Sequence, residues 1–335
     1  MKAMHIAAPG GLDHLVPVEL PAAAAPAAGE IQVRVHASSL NYHDLLVASR
    51  PGATAEGRIP MADGAGMVTA VGTGVTEFAV GDAVVSTFFP QWLAGRHVPS
   101  DFKLVPGDGV DGFARESVTL PATAFTHAPR GWSHEEAATL TTAGLTAWRA
   151  LVVDGGLQAG QTVLVLGTGG VSIFALQMAK SMGARVIATT SSHAKAEQLT
   201  ALGADVVINY KDQPEWGNAV LAATGGRGAD IVVEVGGPGT LPQSIRACAP
   251  GGHIALIGVL TGFAGAVPTA EMMGKQQTLK GLIVGSREHQ QDMVRALEQF
   301  AWKPVIDSRY PLEQLPAAFA HQQTGQHFGK IVVHY

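Results

Sequence analysis

Cysteine is nearly absent: the chain of 335 residues has one, Cys248. A single thiol excludes an intrachain disulfide, and it excludes zinc sites built from four cysteines or from two cysteines and two histidines. Any metal would rest on His, Asp and Glu, and a reducing, cytoplasmic compartment is the expectation. Charge is scarce as well. Asp, Glu, Lys and Arg make up 15% of the residues against 47% hydrophobic, the reverse of a disordered composition. Lys and Arg are scattered and the formal net charge is −5, so no nucleic-acid partner is expected and a small molecule, neutral or anionic, fits better. Long apolar runs are missing too. The uncharged stretch from Thr162 to Ala179 approaches a membrane span in length, but Gly-Thr-Gly-Gly at its centre reads as strand, turn and helix. The start, MKAMHIAAPGG, lacks a charged segment followed by a long apolar core, so neither secretion nor a membrane anchor is expected. Glycine, by contrast, is abundant at 41 residues, well above the usual ~7% and without a G-X-Y period.

The length suggests two domains. From about Met1 to Leu120 short β-rich pieces alternate with Gly and Pro: IQVRVHAS, GMVTAVGTGV, GDAVVSTFF and ESVTLP, the pattern of a partly open β-barrel. Between Trp132 and Val153 the spacing of Ala137, Leu140, Leu145, Trp148 and Leu151 is helical. Six apolar runs follow, at 162–167, 185–190, 205–210, 230–237, 253–258 and 279–285, with helical stretches between the first five. Continuous Val/Ile/Leu runs suit strands buried on both faces, and their alternation with helices predicts a doubly wound parallel α/β sheet. The tail carries a helix around 290–300, an extended KPVIDSRYP, a helix around 312–322 and a last strand, FGKIVVHY. It is expected to return to the first domain, because the six-strand series is already complete.

Within VLVLGTGGVSIFALQMAKSMGARVIATTSS (163–192) a strand ends at Gly167, a glycine-rich turn follows, and Val171, Phe174, Met178 and Met182 mark one helix face. This places the N–H groups of Gly169, Gly170 and Val171 at a helix N-terminus, beside Thr168, where a pyrophosphate is favoured. Ser172 stands where the G-x-G-x-x-G fingerprint has its third glycine. The competing reading is that these glycines serve packing alone. At the end of the second strand, where an acid would bind the ribose of NAD, the sequence runs Thr-Thr-Ser191-Ser192-His-Ala-Lys195 with no carboxylate before Glu197. Hydroxyls with a lysine suit a 2′-phosphate, so NADP(H) is preferred over NAD(H). The plainer alternative makes Ser192 a helix cap and Lys195 a solvated charge.

Taken in order, SSLNYHDLL (38–46), IPMADGAGMVTAVGTGV (59–75), EEAATLTTAGLTAWRAL (135–151), LGTGGVS, ALGADVVINY (201–210), VEVGGPGT (233–240), GGHIALIG (251–258) and HFGKIVV (327–333) resemble the medium-chain dehydrogenase/reductase superfamily over essentially the whole chain. Within it the sequence looks like the zinc-free quinone oxidoreductase and zinc-independent alcohol-dehydrogenase-like branch. The resemblance implies a GroES-like catalytic domain at 1–126, a Rossmann NADP(H)-binding domain at 127–285, a carboxy-terminal return at 286–335, and a homodimer formed through Rossmann edge strands. It implies that the cofactor site also includes Tyr210, Val235, Gly236, Gly237, Ile257, Gly258, Val284, Gly285, Ser286, Phe328 and Lys330. Phe88, Phe89, Pro90 and Trp92 are implied as an apolar wall, or as core.

The family's catalytic zinc is held by a Cys, a His in a Gly-His-Glu turn and a second Cys; the matching positions here are Asn41, Ala62 and Thr142. An amide, a methyl and a hydroxyl do not supply the ligands Zn²⁺ takes, so no metal is expected. A substitute set of His43, Asp44 and Asp63 matches no metal spacing. Without a Lewis acid, hydride addition to a simple ketone leaves an unstabilised alkoxide, whereas a quinone or α,β-unsaturated carbonyl spreads the charge by conjugation. Reduction of such an acceptor is therefore expected. The alternatives are a zinc-independent alcohol/aldehyde dehydrogenase and a non-catalytic NADPH-binding protein of structural or regulatory role. Asn41 is a candidate hydrogen-bond donor, or a turn residue; Tyr42 a candidate acid, or an aromatic packed on a strand. His43 is a candidate acid, or a satisfied structural histidine. Thr142 is a candidate substrate contact, or a helix residue bonding its own backbone. Cys248 is read as a small hydrophobe in a helical segment.

Overall fold

The computed structural model describes residues 1–96, 98–99 and 101–335. The amino-terminal part runs β1 (Lys2–Ile6), β2 (Leu15–Glu19), β3 (Glu30–Ser39), α1 (Tyr42–Ser49), β4 (Ala65–Val71), β5 (Ala83–Ser86), β6 (Ser117–Pro121) and β7 (Phe125–His127). Next come α2 (His134–Ala138), a π-turn at Leu140–Gly144, α3 (Leu145–Trp148) and a second π-turn at Arg149–Val153. The regular alternation comprises β8 (Thr162–Leu166), α4 (Gly170–Ser181), β9 (Arg185–Thr190), α5 (His193–Ala201), β10 (Val206–Asn209) and α6 (Trp216–Ala223). It continues through β11 (Ala229–Glu234), α7 (Leu241–Ala247), β12 (Cys248–Leu256), α8 (Thr269–Gly274) and β13 (Thr278–Gly281). The tail adds α9 (Arg287–Leu297), β14 (Ile306–Pro311), α10 (Leu315–Gln323) and β15 (Lys330–His334). Among the described residues, no helix is long and apolar enough to cross a membrane.

Two compact units result: Met1–Leu145 with Val284–Tyr335, and Thr146–Ile283. In the first, a seven-stranded sheet runs β14-β15-β3-β4-β5-β7 with β6 also paired to β3, and β1 and β2 form a separate hairpin. Its long strand β3 alternates from Glu30 to Ala37, and Ile31, Val33 and Val35, at 2% exposure or less, close over Val68, Phe78, Val84, Phe113 and Phe125. The last strand, β15, lies antiparallel to the end of β3, with Val332 opposite Ser39.

In the second unit six parallel strands take the order β10-β9-β8-β11-β12-β13, the doubly wound arrangement with its switch between β8 and β11. Strands β8 and β11 are buried at nearly every residue, as their apolar runs require. This is the fold class expected from the sequence.

Several local expectations change. The compact units divide at Leu145 and again at Ile283, the 127–145 segment packing with the first unit. The helical 132–153 stretch is broken by π-turns on both sides of α3. Cys248 does not lie in a helix: it opens β12, opposite Ala229, and burial pushes its thiol up to about 12. Tyr42 is not on a strand; it is the first residue of α1 and is 39% exposed. The sixth Rossmann strand is the short, largely exposed edge β13, since Leu282 already leaves the sheet.

Candidate active site

In the Rossmann unit, Gly167 ends the first strand in the left-handed region at φ 71° and its N–H bonds Thr189 O at 3.0 Å. Gly169 is the N-cap of α4 and offers no side chain to cap the helix, so the first-turn amides of Gly170 and Val171 keep the donor character that suits a pyrophosphate. A Cβ placed on Gly169 meets nothing within 4 Å, so the approach to these amides is open. Thr168 is largely buried in the same turn. Ser172, in place of the third fingerprint glycine, is accommodated because its hydroxyl donates to Leu166 O at 2.6 Å and ties helix to strand. These residues fit a dinucleotide.

The adenosine end lies at the tips of β9 and β10. Ser192 caps α5, accepting from the Lys195 amide at 3.4 Å, which gives the plainer reading of Ser192 its geometry; Ser191 precedes it. Tyr210 N bonds Thr190 O at 2.9 Å and its ring is 40% exposed. Past β11, the loop Val235-Gly236-Gly237 is held by a residue the sequence reading passed over. Glu234 is fully buried; one carboxylate oxygen accepts from Gly236 N (2.7 Å), Gly237 N (2.9 Å) and Thr240 Oγ1 (2.7 Å), and the other from the Ser244 hydroxyl. Ile257 and Gly258 both donate to Glu234 O. Gly258 is required there: an added Cβ would sit 1.8 Å from Val235 O.

The first unit holds a second constellation, at the positions where the resemblance places zinc ligands. Asp63 is completely buried. Thr142 Oγ1 donates to its Oδ1 at 2.6 Å and Ser39 Oγ to its Oδ2 at 2.7 Å. The π-turn at Leu140–Gly144 makes this possible, aiming Thr141 at Ser86 O and the next residue, Thr142, at Asp63. Asp44, three residues into α1, accepts from the Asn41 and Ala62 amides at 2.9 and 2.8 Å and so locks the helix start against the loop bearing Asp63. Lys330, 3% exposed, donates from Nζ to Leu40 O and Asn41 Oδ1, both at 2.5 Å, and stands 3.9 Å from Asp63 Oδ2. Asn41 Nδ2 donates to Ser39 O at 3.2 Å. Burial above all, with the charge of Asp44, pushes Asp63 up to about 6, against the pull of Lys330 and the hydrogen bonds from Asn41 and Thr142. Burial likewise pushes Lys330 down, with Asp63 and Asp44 opposing.

Asn41 and Thr142 are thus brought together around Asp63, and Tyr42 and His43 are not. His43 Nε2 stands 3.5 Å from Asp108 Oδ2, with its ring between Phe88 and Phe102 at centroid distances of 5.3 and 5.2 Å. Phe88, Phe89 and Trp92 are 1%, 5% and 4% exposed and form one aromatic cluster. Of the five residues assigned to the cofactor from the carboxy-terminal part, Val284 takes φ 46°, Gly285 lies beside Leu145, and Ser286 caps α9 through the His289 amide. Phe328 is buried, its N–H on Asp307, and Lys330 is committed to Leu40 and Asn41.

The donor set does not fit Zn²⁺. An amide, a methyl and a hydroxyl occupy the three ligand positions, and a lysine ammonium already bonds the amide oxygen. Among the described residues no three His, Cys, Asp or Glu side chains converge on a metal-sized site.

Comparison with known proteins agrees with this two-part construction. Residues 27–130 match the alcohol dehydrogenase GroES-like domain family, and residues 170–302 match the zinc-binding dehydrogenase family. A zinc-type alcohol dehydrogenase-like protein of Schizosaccharomyces pombe is 40% identical over 96% of each chain. A solved structure from Sinorhizobium meliloti 1021 is 41% identical with TM-score 0.91, covering 100% of this chain and 99% of that one. An NAD-dependent alcohol dehydrogenase structure is 35% identical, covers 100% of both chains and has TM-score 0.88. A mycobacterial protein solved in complex with NADPH is 27% identical, covers 100% of both chains and has TM-score 0.81.

Proposed function

Because the chain belongs to the medium-chain dehydrogenase/reductase superfamily, and is thereby an oxidoreductase, we propose that it reduces a quinone or an α,β-unsaturated carbonyl with NADPH and without zinc. The reading rests on one observation: two hydrogen-bonding side chains, Asn41 and Thr142, stand where a metal-dependent relative would place ligands, and they adjoin a buried ion pair, Asp63 with Lys330. Such a site donates hydrogen bonds and protons but supplies no Lewis acid, so it suits an acceptor whose negative charge is spread by conjugation.

Bound NADPH supplies the hydride. Asn41 keeps one amide N–H on Ser39 O and turns the other, which bonds Asp63 while that carboxyl is ionised, to the acceptor oxygen as charge develops there. The proton comes from Thr142. While Asp63 is ionised the Thr142 hydroxyl points at it; once Asp63 is protonated it donates to Thr142 Oγ1, whose own proton is released to the reduced acceptor. Thr142 is the partly exposed member of the network and Asp63 the buried reservoir behind it. Preference for NADP(H) over NAD(H) rests on the hydroxyls and lysine at the end of β9, and the likeness to a protein solved with NADPH supports it. A homodimer through the exposed edge strand β13 belongs to the same proposal.

The experiment is a panel of quinones, enones and simple aldehydes with NADPH and NADH, followed by loss of nicotinamide absorbance, on protein whose zinc content is measured. Turnover of conjugated acceptors by zinc-free protein is the expected result. Turnover of simple aldehydes alone favours the second reading, an alcohol/aldehyde dehydrogenase, which the 35% likeness to an NAD-dependent alcohol dehydrogenase supports. NADPH binding with no turnover points to a structural or regulatory role. Stoichiometric zinc overturns the ligand argument.

A further inference from the structure

We propose that Lys330 is a positioning residue, which fixes the Asn41 amide so that its nitrogen is the end offered to the acceptor. The proposal deepens the reading above and rests on it for the identity of the acceptor. Sheet register brings the two residues together across 289 positions of sequence: β15 runs antiparallel to β3, Leu40 N bonds Ile331 O at 3.0 Å, and Lys330 therefore falls beside Leu40 and Asn41.

An amide side chain can sit in either of two orientations of similar shape, and its neighbours decide which. Here they agree from opposite ends. An ammonium has donors only, so the atom of Asn41 facing Lys330 must be the oxygen. A backbone carbonyl accepts only, so the atom facing Ser39 O must be the nitrogen. Lys330 is the contact that holds the oxygen, and it is charge-assisted. Without it the orientation would rest on the nitrogen's bonds to Ser39 O and Asp63 alone, and a flipped amide would present an acceptor to a developing negative charge. The same ammonium, 3.9 Å from Asp63, places a positive charge beneath a site that holds no metal ligands. Lysine is rarely buried this fully, and with both of its close contacts inside this network its role is directed there.

The alternatives are that Lys330 contacts the cofactor or merely balances Asp63. Two substitutions, Lys330→Met and Lys330→Arg, separate them. For Lys330→Met, kcat for the acceptor falls by about 100-fold or more, the scale of losing one oriented oxyanion donor. NADPH affinity, read by fluorescence titration, stays within about twofold, and Lys330→Arg recovers part of kcat. A parallel loss of NADPH affinity overturns the proposal in favour of a cofactor contact, and an unchanged kcat overturns it outright. A readout independent of turnover is the side-chain amide NMR signal of Asn41, assigned with Asn41→Asp. It shifts or broadens in Lys330→Met if the ammonium orients the amide, and stays unmoved if it does not. This signal tests the contact even if the acceptor class is wrong, whereas the panel on unaltered protein tests the acceptor class alone. Should Lys330→Met fail to fold, the pair Lys330→Met with Asp63→Asn leaves no orphan charge, and the Asn41 signal is read there with the same two outcomes.

Discussion

Thr142 donates its hydroxyl proton to Asp63 at 2.6 Å across 79 residues of sequence, and this bond sets the protonation chemistry of the site. A carboxyl pushed up to about 6 is a proton donor only below and around that value. As pH rises through it, Thr142 becomes pinned as a donor to the carboxylate and has nothing to give an acceptor.

The reductive rate therefore falls about tenfold per pH unit above pH ~6, as the protonated fraction does. Asp63→Asn gives a low rate with a flat profile, because an amide does not titrate. Thr142→Val lowers kcat by about 100-fold, the lower end of what a positioned acid contributes. A wild-type kcat that stays constant from about pH 5 to 8 while chemistry is rate-limiting removes Asp63 from the mechanism. Stability has a linked sign. The folded state keeps a proton that the unfolded chain releases near 3.8, so this contribution to stability is complete below 3.8 and is lost as pH climbs to about 6. Urea denaturation at the two ends of that window shows a smaller difference in Asp63→Asn than in the wild type.

The Glu234 carboxylate is a different kind of residue: it touches no acceptor, yet four donors end on it. Glu234→Ala leaves buried amides and hydroxyls without a partner, each worth about 1–3 kcal/mol, so a loss of at least ~3 kcal/mol is expected. The released loop carries Gly236 and Gly237, so NADPH affinity falls together with stability. Denaturation and fluorescence titration of the same variant check both, and weakened stability with unchanged affinity separates the loop from the cofactor.

How much of this was legible in the sequence follows from where the information lies. Strands β8, β9 and β11 are visible because their centres, buried on both faces, are runs of Val, Ile and Leu. Strand β12 begins inside Cys-Ala-Pro-Gly-Gly, where Pro and Gly read as a turn, so its first residues passed for the end of a helix. Hairpin β1–β2 is short and carries Pro17 in its second strand, and strand β7 is short and defined by a partner far back in the chain. The same holds at the site. The fingerprint around Gly167 is local and could be read directly. Asp63 sits in IPMADGAG, an unremarkable loop, and its role emerges only when Ser39, Thr142 and Lys330 arrive from three other segments. Lys330 was assigned to the cofactor by likeness alone, and sheet register is what turns it toward Asn41.

Cofactor choice turns on the end of β9, where Ser191 and Ser192 stand in place of an acid. Ser191→Asp supplies a carboxylate that repels a 2′-phosphate and accepts from a 2′-hydroxyl, so NADPH affinity falls by more than about tenfold while NADH affinity holds or improves. Lys195→Ala weakens NADPH alone. Ser192→Ala costs about 1 kcal/mol of stability through the lost helix cap, an effect separable from the other two by melting the apoprotein. Equal losses for both nucleotides in Ser191→Asp end the NADP(H) assignment.

Two glycine substitutions distinguish packing from ligand binding. At Gly258 an added methyl group would lie 1.8 Å from the Val235 carbonyl oxygen, a backbone atom that cannot rotate away. Gly258→Ala must therefore displace the loop, with a loss of about 1–3 kcal/mol or more in the apoprotein. At Gly169 the same methyl group meets nothing within 4 Å, and the residue's backbone is extended rather than left-handed, at φ −76°. Gly169→Ala therefore leaves apoprotein stability close to that of the wild type. The open space above Gly169 is where a pyrophosphate approaches the amides of Gly170 and Val171, so the methyl group obstructs the ligand rather than the fold. NADPH affinity then falls by about tenfold or more while the melting temperature of the apoprotein stays within a degree or so, a 1.4 kcal/mol effect appearing only when the ligand is present. If Gly169→Ala binds NADPH as the wild type does, the glycines of this turn serve the fold, and the dinucleotide lies elsewhere.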